Sequence, residues 1–504
     1  MKLLITLVIL FLMSPYSCNR REAVKPSAAS KRQQTVSIRT PLPTDTLFAD
    51  LEILKKDTSL CHASLAYVIT DYTKGSPVCI TSCNAGMTLV PASVFKLLTT
   101  ASALEILGEG KIFRTVLQYD GKINDHVLYG NLYIKGSGDP TFGALSTFDR
   151  WIRAIKELGI DSITGSVIGD PSVFNRFTIP STWTWGELLL PYCAPASGLT
   201  YSGNVFQATG DKVKKGKHKP AESNVRPEIP GLVVENDVSD AENEATETFL
   251  QGDPADLSLS VQGIVIKDSR LFPYCGVIPD PALVAANELK KGLTDHGIKV
   301  GGIAADIETA DSTLLKTIFK DRTDISFAIS PSVAALVTLT NLHSNNLYAE
   351  HLNKQIGLNR YHSGNSETGC KAVLEFWKSK KIDTRGMFLY DGCGVSRYDG
   401  ITAQQLADLL YYMTSSPAFA TFYNSLPLAG VSGTLAKYMK GTKAEGNLRA
   451  KTGSISRVKS YAGYVRCASG KRLIFSILVN NFTCSGPEMV EKLDKIMIDM
   501  ASMQ

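Results

Sequence analysis

Apolar positions change their period repeatedly along this chain, and each change marks an element. Ala63 to Tyr72 and Val78 to Cys83 are short apolar and β-branched runs separated by Lys74-Gly75-Ser76-Pro77, a pattern that predicts two strands joined as a hairpin. A short helix, Leu47 to Leu54, precedes them. From Ser93 to Gly108 the chain is apolar on nearly every face, which predicts a helix running through a domain core and stopped at Gly108. Residues 110 to 325 break into short strand-like runs between Gly, Pro, Asn and Asp, among them Val127 to Lys135 and Leu257 to Lys267. Within them, Asp211 to Glu247 is rich in Lys and then Glu and reads as an exposed loop or solvated strand pair.

Helical spacing returns at Ser332 to Asn341, Leu347 to Gly357, Glu367 to Ser379 and Thr402 to Met413, with Thr402 as a cap. Strand-like runs follow at Asn447 to Gly453, Ser460 to Cys467 and Lys471 to Asn480. The chain closes with Met489, Leu493, Ile496, Met497 and Met500 on one helical face, a stripe suited to packing on a sheet. This succession predicts an α/β (α+β) fold. The pattern also predicts one domain formed by 46–109 and 326–504, with β-rich domains inserted at 110–325.

The beginning differs from the rest. One lysine and an apolar run from Leu3 to Met13, too short to span a bilayer comfortably, predict a signal segment over 1–18 and hence export to the periplasm or cell envelope. Cys18 directly follows the apolar run, as in bacterial lipoproteins, so a lipid anchor there competes with ordinary cleavage nearby. Residues 19–45 are polar and basic without an apolar period and read as a linker.

Composition excludes more than it selects. With 504 residues, 44% of them hydrophobic, the chain can bury more than one core. A net charge of +5, dispersed over 53 basic and 48 acidic residues, offers no footprint for nucleic acid. Ten scattered cysteines without a CxxC pair argue against a zinc knuckle or a disulfide scaffold and predict mostly unpaired thiols.

Candidate chemistry begins at Ser93-Val94-Phe95-Lys96. On a helix this spacing sets the lysine one turn after the serine, within reach of its hydroxyl proton, while the first-turn N–H groups favour negative charge at Ser93. A neutral Lys96 would be the base. The motif alone is weak, since Ser456-Arg457-Val458-Lys459 matches it too. Two further elements, Ser344-Asn345-Asn346 in a turn between helices and Lys451-Thr452-Gly453 on a strand, complete in order the triple of β-lactamases and penicillin-binding proteins.

With this triple the chain resembles the low-molecular-mass class C penicillin-binding proteins, D-alanyl-D-alanine carboxypeptidases and endopeptidases with a penicillin-recognising serine transpeptidase/β-lactamase-like domain. Gly136-Ser137-Gly138-Asp139-Pro140-Thr141, Trp183-Thr184-Trp185, Asp391 to Arg397 and Leu426 to Leu435 also look like that family, as does the long stretch between Ser93 and Ser344. The resemblance implies that Ser93 attacks the D-alanyl carbonyl, Lys96 accepts its proton and Ser344 relays one to the leaving amine. Asn346 would hold Lys96 and the substrate backbone. Lys451 and Thr452, beside Gly453, would bind the terminal carboxylate, with the N–H groups of Ser93 and Ser454 as oxyanion hole. Glu187, Tyr192 and Arg397 align with the family's pocket for the acidic end of a diaminopimelate side chain, but a family glutamine there is Ser456 here. Cys393 stands where the family usually has serine, as a reactive thiol or a small buried filler. The implied partners are peptidoglycan peptides, with β-lactam antibiotics as inhibitors, and no cofactor or metal is implied.

Rival readings lack their motifs. A class A β-lactamase needs a Glu-x-x-x-Asn between Ser344 and Lys451 for fast deacylation, a Ser-His-Asp hydrolase needs a Gly-x-Ser-x-Gly elbow, and a zinc peptidase needs His-Glu-x-x-His. A cell-wall binding protein without turnover would need neither Ser93 nor Lys96.

Overall fold

The strands on either side of the long middle segment close into one sheet. The structure is a computed structural model and describes residues 43–211, 224–241, 247–266, 271–316, 318 and 321–504. The sheet runs, entirely antiparallel, in the order Arg449–Ile455, Val458–Arg466, Arg472–Asn480, Ser64–Asp71, Val78–Cys83.

Alternate residues of the inner strands feed two different cores. Leu65, Tyr67 and Ile69, with Phe475, Ile477 and Val479, pack with Leu47, Leu51, Met489 and Leu493 of the helices Pro43–Lys55 and Gly486–Ser502. Ala66 and Val68, with Ile474 and Leu478, share the other core with Leu97 and Leu98 of the helix Lys96–Leu107 and Leu406 and Leu409 of Ala403–Met413. A strand covered on both faces has no polar side, which is why these runs are mostly apolar. Reciprocal capping boxes start two of the covering helices, Thr402 with Gln405 and Ser485 with Glu488.

The middle segment is strand-rich, as expected, but it also holds the helices Leu145–Glu157 and Pro281–Asp295, which a strand-dominated reading leaves out. Their signal is present: Phe148, Trp151, Ile152 and Ile155 recur at helical spacing and are buried together. The first helix crosses between the parallel strands Leu132–Lys135 and Val167–Asp170, as a βαβ unit requires. Where the middle segment begins and ends, Arg114–Tyr119 and Thr323–Ile329 pair antiparallel. Its two ends are therefore neighbours, so the flanking parts of the chain meet in one sheet although a long segment lies between them.

Signal segment, Cys18 and linker lie outside the described residues, except that the helix Pro43–Lys55 begins within the range read as linker. Among the described residues no helix is long and apolar enough to cross a membrane. The described cysteines, Cys61 to Cys484, are free thiols, in keeping with their scattered spacing.

Candidate active site

Ser93 enters its helix through a bent approach. Ala92 takes a positive φ of 49° and leads into the short turn Ala92–Phe95, after which the helix Lys96–Leu107 runs on. Lys96 is wholly buried. Its Nζ donates to Ser93 Oγ at 2.9 Å, to Asn346 Oδ1 at 2.5 Å and to the carbonyl of Cys393 at 2.6 Å. These contacts use all the donors an ammonium has. Burial pushes the Lys96 pKa below its ordinary value of 10.5, against the opposing pull of Cys393, Asp391, Glu350 and Asp399. A Lys96 that gives up its proton can then accept the one on Ser93 Oγ along the same contact.

The second corner is a helix-to-helix turn. The helix Val333–His343 ends at Ser344 in the left-handed conformation, φ 56°, and the side chain of Asn345 starts the helix Asn346–Tyr361 by accepting from the N–H of Tyr348 at 3.0 Å. Ser344 and Asn346 thus emerge side by side. The Asn346 amide splits its duties, with its oxygen on Lys96 and its Nδ2 donating to the carbonyl of Tyr192 at 2.8 Å.

The third corner is the strand Arg449–Ile455. Lys451, also wholly buried, donates to Ser344 Oγ at 2.9 Å and to the Thr452 carbonyl at 2.8 Å. Burial first, then the charges of Lys96 and Lys459, hold its pKa well below the ordinary range. Gly453 lets the strand lie against the nucleophile turn: a Cβ there would stand 2.2 Å from Ser460 Oγ and 2.7 Å from the Pro91 carbonyl. Ser460 Oγ, on the adjacent strand Val458–Arg466, donates to that same carbonyl at 2.5 Å, which fastens the neighbouring strand to the turn. Ser454 follows, exposed at the strand's end.

Ser93, Lys96 and Asn346 therefore form one hydrogen-bonded group, and Ser344 and Lys451 a second. Glu187, Tyr192 and Arg397 also meet. Tyr192 donates to Glu187 Oε1 at 3.1 Å, Arg397 Nη2 lies 3.8 Å from that oxygen, and Arg397 Nη1 donates to the Ser456 carbonyl at 3.4 Å. Ser456 enters this cluster by its backbone. The look-alike pair Ser456 and Lys459 falls at the hairpin between two strands, where no helical turn brings hydroxyl and amine together.

Several residues of this site lie beyond what side-chain patterns announce. The Cys393 carbonyl is a backbone group and has no signature. The Cys393 thiol is wholly buried and burial pushes its pKa well above 9.0, the behaviour of a buried filler and not of a reactive thiol. Thr434, whose hydroxyl accepts from Thr452 Oγ1 at 2.9 Å, and Asp391, which accepts from Trp183 Nε1 at 2.9 Å, sit in segments recognisable only as family-like stretches. The segment from Trp183 to Tyr192 is tied to the catalytic half nearby, where Lys354 donates to the Ala196 carbonyl at 2.8 Å.

Glu350, Asp391 and Cys393 bring ligand-type atoms within 4.8 Å of one another. Their oxygens are already committed, since Glu350 accepts from the N–H of Gly392 and Asp391 from those of Cys393, Gly394, Val395 and Ser396. The cluster serves the backbone.

Similarity to known proteins extends over nearly the whole chain. The chain is similar to the D-alanyl-D-alanine carboxypeptidase of an Actinomadura species, 29% identical over 477 residues that make up 90% of this chain and 84% of that one. It is 25% identical to D-alanyl-D-alanine carboxypeptidase DacB of Haemophilus influenzae, over 81% of this chain and 84% of the other. In structure it matches penicillin binding protein 4 from Haemophilus influenzae with a TM-score of 0.75 at 22% identity, covering 89% of this chain and 97% of that one, which shows a shared fold. The family model for D-Ala-D-Ala carboxypeptidase 3 (S13) matches residues 47–502, and the chain belongs to that family.

Proposed function

We propose that this protein is a serine D-alanyl-D-alanine carboxypeptidase and endopeptidase that cleaves peptidoglycan stem peptides through an acyl-enzyme on Ser93. The observation that carries the reading is the buried Lys96 ammonium, shared between Ser93 Oγ and Asn346 Oδ1, beside a second pair, half-buried Ser344 and buried Lys451. Neutral Lys96 takes the Ser93 proton as Oγ attacks the carbonyl between the terminal D-alanines. The N–H groups of Ser93 and Ser454 receive the developing oxyanion, and Ser344, polarised by Lys451, passes a proton to the leaving amine. Lys451 and Thr452 hold the terminal carboxylate. Water then releases the acyl group. A β-lactam enters the same route and stays on Ser93, because the chain has no class A deacylating glutamate. The substrate lies outside the cytoplasm, in accord with the apolar leader; the protein is exported, with Cys18 as its candidate lipid anchor.

Incubation with a penicillin should add one drug mass, carried by the peptide that contains Ser93, and digestion of muropeptides should release free D-alanine. Cross-linked dimers should fall to monomers where endopeptidase action contributes. A wild type that takes up no adduct and yields neither product is not this enzyme.

Glu187 and Arg397 give the cleft rim one negative and one positive group, a match for the free amine and carboxylate at the end of a diaminopimelate side chain. Glu187→Gln is expected to lower kcat/KM on such a peptide about tenfold, the worth of one charge-assisted hydrogen bond near the surface. The same peptide with a neutral side chain should be cleaved as before. Equal losses on both peptides would show that Glu187 only props the rim.

A further inference from the structure

The loop from Asp391 to Ser396 is folded around a carboxylate. Asp391 is wholly buried. Its Oδ1 accepts from the N–H of Cys393 at 2.9 Å and of Gly394 at 2.6 Å, and its Oδ2 from those of Val395 at 3.1 Å and Ser396 at 2.7 Å. The Gly392 N–H goes to Glu350 Oε1 at 2.6 Å. With its donors turned inward, the loop presents carbonyls to the helix Lys96–Leu107: that of Gly392 accepts from Thr99 Oγ1 at 2.6 Å and that of Cys393 from Lys96 Nζ at 2.6 Å. Gly394, at φ 78°, lies so near the nucleophile turn that a Cβ would stand 2.2 Å from the Ala92 carbonyl. One more donor reaches Asp391 from the inserted segment, Trp183 Nε1 at 2.9 Å. Trp183 leads into the turn Trp185–Glu187 and on to Tyr192, whose carbonyl accepts from Asn346.

We propose that Asp391 is a positioning residue for acyl transfer: it shapes the loop that sets Lys96 Nζ against Ser93 Oγ and, through Trp183, holds the Glu187 and Tyr192 segment in register with that pair. The proposal rests on the reading of Ser93 and Lys96 as nucleophile and base. A carboxylate saturated by backbone N–H groups in a dry interior is stiff, so the Cys393 carbonyl has little freedom and neither has the amine bound to it. Such placement matters, since a shift of about 1 Å at a reacting group costs about 100-fold in rate. A mere structural anchor would stop there. Asp391 also faces Lys96: burial opposes the ammonium form, and Asp391, with Cys393, Glu350 and Asp399, favours it.

The test measures the rate of penicillin acylation across pH for wild type and Asp391→Asn. Asparagine keeps the size but turns an NH2 group toward backbone N–H donors. The variant is expected to acylate about 100-fold more slowly at equal folded content, and the pH at which the rate falls off should move down, because a carboxylate that favoured the Lys96 ammonium is gone. A wild-type rate, or a slower rate with the fall-off pH unmoved, overturns the role. Trp183→Phe, which removes only the indole donor and a little ring area, tests the tie and keeps the proposal testable should Asp391→Asn fail to fold. It should lower kcat/KM on a peptide with a charged diamino-acid side chain about tenfold more than on its neutral counterpart; an unchanged ratio between the two peptides overturns the tie. A wild type that takes up no penicillin overturns the acyl-enzyme reading itself, and this proposal with it.

Discussion

Lys96→Ala is expected to slow acylation of Ser93 by about 1,000-fold, within the range that a positioned proton acceptor supplies. The other buried lysine of the three motifs, Lys451, is occupied elsewhere, since it donates to Ser344 and to the Thr452 carbonyl. Truncation leaves Asn346 Oδ1 and the Cys393 carbonyl without their donor, at about 1–3 kcal/mol for each group left unpaired in the interior. Relief from burying an ammonium offsets part of that cost, so the variant should fold. Single-turnover mass spectrometry with a penicillin, beside circular dichroism, measures both. Acylation at the wild-type rate at neutral pH would show that another base serves.

The same burial sets the pH dependence. Only the neutral amine accepts a proton, so the wild-type rate should fall as pH drops through the lowered pKa of Lys96, and Lys96→Ala should lose that limb. Stability runs alongside. The unfolded chain holds this proton up to the ordinary value of 10.5 while the folded chain releases it earlier, so the unfolded state binds more protons between the two values and Lys96 makes stability rise with pH across that window.

Gly453→Val should cost about 100-fold or more in acylation while sparing most of the fold. Space for a Cβ is missing on the side facing Ser460 Oγ and the Pro91 carbonyl, at 2.2 and 2.7 Å, and the Val94 N lies 3.0 Å away. The strand can admit a side chain only by moving off the Ser93 turn and away from Ser460, its partner on the adjacent strand Val458–Arg466, which carries Lys451, Thr452 and the Ser454 N–H away from Ser93. Steady-state kinetics should show the loss chiefly in kcat, because the groups displaced serve the transition state. Unimpaired turnover would mean that the strand and the Ser93 turn need not touch.

The order of motifs was legible because each sits at an element boundary with local chemistry. Ser93 opens an apolar helix, Ser344 ends one helix just before Asn345 caps the next, and Gly453 interrupts a strand. The sheet strands were legible as largely apolar runs, since strands covered on both faces carry no regular polar alternation to blur them. The helices Leu145–Glu157 and Pro281–Asp295 were less visible, because turn residues crowd around them and draw attention to the strands they connect.

By itself the sequence determined the candidate nucleophile and base, the order of the three motifs and the family they resemble, all of which are carried by side-chain identity and short spacing. Only the tertiary structure decided that Ser456 and Lys459 form no second site, that the Asn346 amide nitrogen is shared with Tyr192, and that Lys96 leans on the Cys393 carbonyl. It also decided that Glu187, Tyr192 and Arg397 meet at one rim, where Ser456 contributes its backbone. The physical reason is the same in each case. Backbone carbonyls carry no residue code, and contacts such as Lys96 to Cys393 or Trp183 to Asp391 join positions far apart in the chain, so they exist only once the inserted segment and both parts of the catalytic half have packed together.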